Sequence, residues 1–329
     1  MYSNKRIIVA PLHWGLGHAT RCIPIINVLL SNNNTVAIAS DGEALALLHK
    51  EFPALESFEL PSYNIRYTFD SMVANMILQG PGSLATIKKE NKRAKEIAES
   101  WKADVLISDN RFGFRSDQSE NIYITHQLNI LANNAMIANI ASRVHRRIIA
   151  KFDRCWIPDY KGKENLAGKL SQVNIKTATT YLGPLSRMEK LDLPIEYDFT
   201  AVLSGPEPQR TKLEQILLNT FSDHPKYRFC MVRGTSTKRK TDFKKENIEF
   251  FDLLASKDLN KVICASAQII CRSGYTSIMD LVKLEKSATL IPTPGQYEQE
   301  YLAKRLNGRY KFNVCTQKEC RKFLTGLLS

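Results

Sequence analysis

A chain of 329 residues is longer than one ordinary core accommodates, and 43% hydrophobic with 24% charged residues describes a folded globular protein, which excludes a disordered chain. The formal net charge of +13 calls for an anionic partner: a nucleotide diphosphate, an acidic membrane surface or nucleic acid. No zinc-finger spacing or RNA-recognition aromatic motif is present, so nucleic acid is not expected. No apolar run approaches a bilayer span and no secretory leader is expected, which points to a cytoplasmic protein.

In chain order, "RIIVAPL" reads as a buried strand, "ATRCIPIINVLLS" as a helix and "TVAIAS" as the next strand. The β-branched runs "ADVLISD", "NIYITHQ", "RCWIPD" and "TTYLGP" continue the alternation. Residues 183–198, "GPLSRMEKLDLPIEYD", hold two prolines and no clean period, and read as a linker. A second series follows in "FTAVLSG", "YRFCMVRG", "IEFFDLL", "AQIICRSG" and "SATLIPTPG". The expectation is α/β: two doubly wound, Rossmann-like domains with polar turns at the strand C-termini, facing a central cleft. We expect residues 1–190 to form an N-terminal Rossmann-like domain and 191–310 a C-terminal one. Residues 311–329 are expected to be a terminal helix packing back on the N-terminal domain.

Seven cysteines form no Cys-x-x-Cys pair and read as reduced core thiols. The basic run at 235–245 reads as a solvated surface loop. Residues 69–82, "FDSMVANMILQGPG", read first as core. Beside Lys88, Lys89, Lys92 and Arg93 they are also compatible with docking at a membrane surface or on a lipid-linked acceptor.

Two motifs carry chemistry. In "GLGHAT", Gly15 and Gly17 let backbone N–H groups and a helix N-terminus approach an anion, and His18 follows at once. Two glycines with Asp41 further on also fit an NAD-dependent dehydrogenase, although that reading leaves His18 unexplained. His18 would take a proton from a hydroxyl or stabilise charge near phosphates. His13 and His18 do not make a metal site. The second motif is "CRSGYTSIMD", with "TLIPTPGQYEQEYLA" after it. There a helix N-terminus at Ser273-Gly274 precedes Asp280, and Gln299 and Glu300 suit vicinal hydroxyls. Arg187 and Arg210 are candidates for neutralising phosphate.

On these residues the chain resembles the GT-B glycosyltransferases of the group that adds N-acetylglucosamine to the peptidoglycan lipid intermediate (family 28-like), along most of its length. The resemblance implies that Arg272, Ser273, Gly274 and Asp280 hold the nucleotide, with Asp280 on the ribose. It implies that Gln299 and Glu300 hold the donor sugar, and that Gly15, Gly17 and His18 form the N-terminal loop. His126, Gln127 and Asn129 of "HQLN" fall on the acceptor side. "SGPEPQR", with Ser204, Gly205 and Arg210, falls on the loop facing the diphosphate, and the nucleobase pocket lies near Phe250 and Phe251. The chain departs from the pattern with Asp for Glu at 280, Glu for Gln at 300, and prolines in the diphosphate loop.

The reading that follows is inverting transfer of a sugar from a UDP-sugar to an acceptor hydroxyl, with His18 as base, in a cell-envelope pathway. No Asp-x-Asp pair exists, so no essential metal and no cofactor are expected. The expected partners are the nucleotide sugar and a lipid-linked acceptor, with peripheral contact at the inner face of the membrane. The alternatives are a nucleotide-sugar 2-epimerase of the same fold, the NAD-dependent dehydrogenase, and a non-catalytic sugar-nucleotide binding protein.

Overall fold

The computed structural model describes residues 2–63, 81–235 and 245–329. They divide into two compact units, Met1–Arg187 and Met188–Ser329, the boundary falling inside the proline-bearing linker. Most of segment 69–82 and of the basic run 235–245 lies outside the described residues.

The first unit holds seven parallel strands: β1 Arg6–Pro11, β2 Thr35–Ser40, β3 Ser57–Glu59, β4 Val105–Asp109, β5 Glu120–Ile124, β6 Arg154–Ile157 and β7 Ala178–Tyr181. Their order in the sheet is β3-β2-β1-β4-β5-β6-β7. β1, β2, β4 and β5 are buried almost throughout because helices cover both faces, which is why they read as unbroken apolar runs instead of alternating ones. Helices α1 (Gly17–Ser31) and α2 (Gly42–Glu51) seal one face through Ile23, Ile26 and Leu48 against Ile7, Val9 and Ile38. Helices α3 (Pro81–Ser100) and α4 (Ala135–Ile149) cover the other, through Ala94 and Ile97 on Ile8 and Leu106, and through Ala141 and Ile149 with Tyr123 and Cys155. Asn134 starts α4 by accepting from the backbone N–H groups of Met136 and Ile137 at 2.8 and 3.3 Å.

The second unit repeats the scheme with six parallel strands: β8 Tyr197–Val202, β9 Phe229–Val232, β10 Ile248–Phe251, β11 Ser266–Cys271, β12 Ser287–Leu290 and β13 Phe312–Val314. Their order is β10-β9-β8-β11-β12-β13. Helices α5 (Gln209–Ser222), α6 (Ser256–Cys264), α7 (Tyr275–Leu284) and α8 (Tyr297–Leu306) connect them, and α9 (Cys320–Leu328) closes the chain. In each sheet the strand order reverses beside the first strand of its unit, between β1 and β4 and between β8 and β11. The crevice at such a reversal is where open α/β sheets bind ligands.

Residues 311–329 fall in the second unit. β13 is the edge strand of the second sheet, and α9 buries Cys320, Leu324 and Leu328 against Leu213, Leu217 and Phe221 of α5. The apolar stripe of α9 has its complement within the second unit. All seven cysteines are buried and free, as reduced core thiols would be.

Candidate active site

The β1–β4 crevice of the first unit gathers four polar side chains. β1 ends at Pro11, in register with Asp109 at the end of β4, so the loop after β1 and the Asp109 carboxylate meet at one sheet edge. Gly15, at φ +62°, turns the loop into α1, where His18 and Arg21 lie three residues apart on one helix face. His18 Nδ1 stands 2.9 Å from Asp109 Oδ1. Arg21 donates through Nε to Asp109 Oδ2 at 2.5 Å and through Nη2 to Oδ1, a two-pronged clamp. Arg21 Nη2 is 2.8 Å from His18 Nδ1, and Nη1 is 3.4 Å from Nδ1 of His126. Asp109 is fully buried, whereas the His18 side chain keeps 15% of its surface exposed, so of the two the imidazole is the group that reaches the surface.

These contacts set the charges. Burial opposes the Asp109 carboxylate, but Arg21 and His18 outweigh it and hold the carboxyl well below its usual range. Burial pushes His18 down from 6.5, and the neighbouring Arg21 guanidinium adds to this against the pull of Asp109. The ring is therefore neutral at pH 7. In the tautomer that donates Nδ1–H to Asp109, Nε2 carries the lone pair. Such an arrangement can accept a proton and stabilise the imidazolium that forms.

The other acceptor-side candidates divide. His126 joins the cluster through Arg21. Asn129 instead donates to the Lys169 carbonyl at 2.8 Å and accepts from Arg146 at 3.0 Å, while the Gln127 N–H donates to Thr125 Oγ1 at 3.0 Å. Asp109 and Arg21 were not singled out in the sequence. The signal for Asp109 was available, since it is the polar residue ending an apolar strand of an α/β sheet.

Asp41, the ribose-binding acid of the dehydrogenase reading, is corrected. Its carboxylate accepts from the fully buried Arg111 at 2.6 Å and from Ser62 at 2.7 Å, and His13 Nδ1 lies 3.3 Å away. It ties strand ends together.

Behind this edge, His145 of α4 is fully buried with Nε2 3.0 Å from the Tyr123 hydroxyl, and burial pushes it down to about 4. The unfolded chain protonates near 6.5 and the native state only near 4. Native stability is thus complete above pH 6.5 and is lost as pH falls through that window, by up to about 3 kcal/mol. Urea midpoints at pH 7 and 4.5 should fall less between the two pH values in His145→Gln than in the parent chain.

In the second unit the loops after β8, β11 and β12 converge. Arg272, 1% exposed, donates to the carbonyls of Gln209 at 2.8 Å and Pro292 at 3.2 Å, and to Gln317 Oε1 at 2.6 Å. No carboxylate is among these partners, and burial pushes its pKa down to about 10. Arg272 Nε and Thr293 Oγ1 are buried without a hydrogen-bond partner. Gly205, at φ +99°, brings the β8 loop so close that a Cβ there would lie 3.6 Å from Thr293 Oγ1. A Cβ on Gly274, the residue before α7, would meet nothing within 4 Å. A cation short of anionic partners beside two helix N-termini is a setting for a diphosphate. A groove of about 570 Å³ opens alongside, lined by Pro292, Pro294, Glu300, Lys304, Thr316 and Gln317.

The remaining donor-side candidates are placed as follows. Ser273 donates to the Gln299 carbonyl at 2.9 Å, and Asp280 lies half-buried on α7. Gln299 Oε1 accepts from the Thr293 N–H at 2.9 Å, and its Nε2 donates to Gln296. Glu300 Oε1 accepts from the Gly295 N–H at 3.0 Å. These side chains thus bind the backbone of the loop that leads into their own helix. Arg210 pairs with the exposed Glu207 at 2.6 Å and the buried Glu214 at 2.7 Å, and Arg233 shares Glu214. Its charge is shared with these carboxylates. Ser204 is exposed, and Phe251 packs half-buried at the end of β10, two strands from β8. Among the described residues no group of three or more His, Cys, Asp or Glu side chains is arranged to hold a metal ion. No helix among them is long and apolar enough to cross a membrane.

Comparison with known proteins agrees with this architecture. Residues 6–325 match the family described as Glycosyl transferase family 1. An uncharacterized glycosyltransferase of Methanosarcina acetivorans is 22% identical over 312 residues, 87% of this chain and 79% of that protein. Among solved structures, the kitacinnamycin glycosyltransferase superposes with a TM-score of 0.70 at 14% identity, covering 100% of this chain and 92% of its own. MurG of Acinetobacter baumannii does so with a TM-score of 0.56 at 11% identity, covering 98% and 90%. Neither the dehydrogenase nor the epimerase alternative finds support in these matches. With two reversed-order parallel sheets and a family match spanning nearly its whole length, the chain belongs to glycosyl transferase family 1 and is a glycosyltransferase of the GT-B fold.

Proposed function

We propose that the chain moves a sugar from a UDP-sugar to an acceptor hydroxyl with inversion at the anomeric carbon. The observation that carries this reading is the His18–Asp109 pair clamped by Arg21. In one displacement His18 Nε2 takes the acceptor proton, the hydroxyl oxygen bonds to the anomeric carbon, and the bond to the diphosphate oxygen breaks. The leaving diphosphate carries the negative charge away. Asp109 orients the ring and stabilises its imidazolium.

The donor belongs to the second unit. Arg272 and the N-termini of α5 and α7, with Ser204, Gly205, Ser273 and Gly274, face the diphosphate. Asp280 takes the ribose, Phe251 borders the base, and Gln299 and Glu300 take sugar hydroxyls. Similar solved chains support a nucleotide diphosphate: the spinosyn rhamnosyltransferase SpnG is complexed with thymidine diphosphate, and Phytolacca americana UGT2 with UDP-2-fluoro-glucose. No metal or cofactor enters this reading. For the acceptor side we infer the peptidoglycan-type group, a lipid-linked acceptor and peripheral contact at the cytoplasmic face of the membrane. Exposed Lys88, Lys89, Lys92 and Arg93 on α3, with Leu84 61% exposed near its start, support such a contact.

Calorimetric titration with UDP, TDP, GDP and NAD, repeated on Asp280→Ala, tests the donor assignment. Selective UDP binding that weakens by about 10-fold or more in the variant is the expected result, the loss of charge-assisted ribose hydrogen bonds. Binding of NAD that is indifferent to Asp280→Ala overturns it.

A further inference from the structure

We infer that Tyr123 and His145 are positioning residues for the His18–Asp109 pair and act through Asn110, an inference that rests on the reading of His18 as the base. Asp109 is the last residue of β4, and Asn110 directly after it sits at φ +59°. That left-handed conformation is unfavourable for residues other than glycine and is tolerated best by Asn and Asp. It needs support from its surroundings, and the support is polar. The Tyr123 hydroxyl donates to Asn110 Oδ1 at 3.0 Å, and His145 Nε2 lies 3.0 Å from the same hydroxyl oxygen. His145 Nε2 and the tyrosine hydroxyl are hydrogen-bond partners, with the shared proton on one or the other according to the His145 tautomer.

The elements place these groups in sequence. Tyr123 lies on β5 in register with Ser108, one residue before Asp109, and His145 comes from α4 packed over β5. Tyr123 and His145 are fully buried, and Asn110 is 7% exposed. Their neighbours are Phe112, Ile130, Ala141, Ile149 and Phe152, a cluster that a phenylalanine at 123 would fill equally well. Apolar packing thus explains the ring of Tyr123 but not its hydroxyl, and a buried hydroxyl is favourable only where it is hydrogen-bonded. The hydroxyl links α4 to the residue that turns the backbone beyond Asp109. Arg21 grips the carboxylate from α1, while the Asn110 turn fixes the main chain from which that carboxylate springs. Both are needed to hold Oδ1 at hydrogen-bond distance from His18.

The test uses the full chain and the variants Tyr123→Phe, His145→Leu and His145→Gln. Ring-nitrogen NMR titration of His18, assigned with His18→Gln, reads the pair directly. The groups facing that ring are Asp109, which raises its pKa, and Arg21 and His126, which lower it. Loosening Asp109 in Tyr123→Phe and His145→Leu should therefore move the His18 titration to lower pH, by about half a unit or more. Release of UDP from UDP-N-acetylglucosamine, used as the kinetic probe, should slow roughly 10-fold in kcat with donor KM unchanged. His145→Gln, which keeps an N–H donor where Nε2 stood, should restore both. A His18 titration in Tyr123→Phe superimposable on the parent overturns the inference. If instead the titration shifts while His18→Ala retains full turnover, the base assignment fails and the positioning chain stands.

Discussion

His18→Ala should lower kcat for sugar transfer by about 10²- to 10⁴-fold, the usual contribution of a positioned general base, and leave nucleotide affinity unchanged. The separation follows from the assignment: His18 belongs to the first unit and the nucleotide contacts are drawn from the second. The ring is partly exposed and alanine leaves no buried charge unpaired, so the variant should fold. Asp109→Asn is a poorer probe because it strips the buried Arg21 of its carboxylate partner, which destabilises the unit by several kcal/mol. The pH profile carries a second signature. Burial and Arg21 hold the His18 pKa below 6.5, so the acid limb of kcat should lie below that value, with the enzyme active where free imidazole would be protonated. Rates of UDP release between pH 4.5 and 8 check both statements. An unchanged kcat in His18→Ala would remove the base assignment, and conversion of a UDP-sugar to its epimer without acceptor would replace transfer by epimerisation.

The architecture was legible because parallel strands buried on both faces are written as unbroken apolar runs, and each of "RIIVAPL", "TVAIAS" and "AQIIC" became one. His18 was legible because two glycines precede it at a strand end. Its partner was not, since Asp109 lies 91 residues on and reaches it only once β4 pairs with β1. The same distance hid the partners of Arg272, whose four oxygen acceptors come from residues 19 to 63 positions away. Gln299 and Glu300 were read as ligand groups from their amide and carboxylate chemistry. The structure shows that this chemistry also serves backbone N–H groups at a helix start, a contact that composition does not separate from sugar binding. Arg210 was assigned by charge and by the resemblance of its loop, and the two glutamates that pair with it stand three residues before and four after it. That signal was local and could have been used.

Arg111→Met should destabilise the first unit by about 3–5 kcal/mol, the penalty for removing one member of a buried ion cluster. Arg111 is fully buried two residues beyond Asp109. It donates to Glu90 Oε1 and Asp41 Oδ1, each at 2.6 Å, and to the Pro61 carbonyl at 2.8 Å. The Gly113 N–H donates to Glu90 at 2.7 Å and the Tyr63 hydroxyl does so as well, while Asp41 also accepts from Ser62. Methionine matches the length of the side chain but leaves two buried carboxylates facing each other without their cation. The loss should therefore be non-additive. Asp41→Asn with Glu90→Gln on the Arg111→Met background removes the uncompensated charge and should recover part of the stability, whereas independent sites would lose more with each change. Arg111→Lys should recover little, because one ammonium cannot span the fork that guanidinium makes to two carboxylates and a carbonyl. Urea unfolding followed by a probe in the first unit measures each variant. A midpoint for Arg111→Met within error of the parent would mean that Asp41 and Glu90 are satisfied without the arginine. Asp41 would then be available to a ligand at the sheet edge.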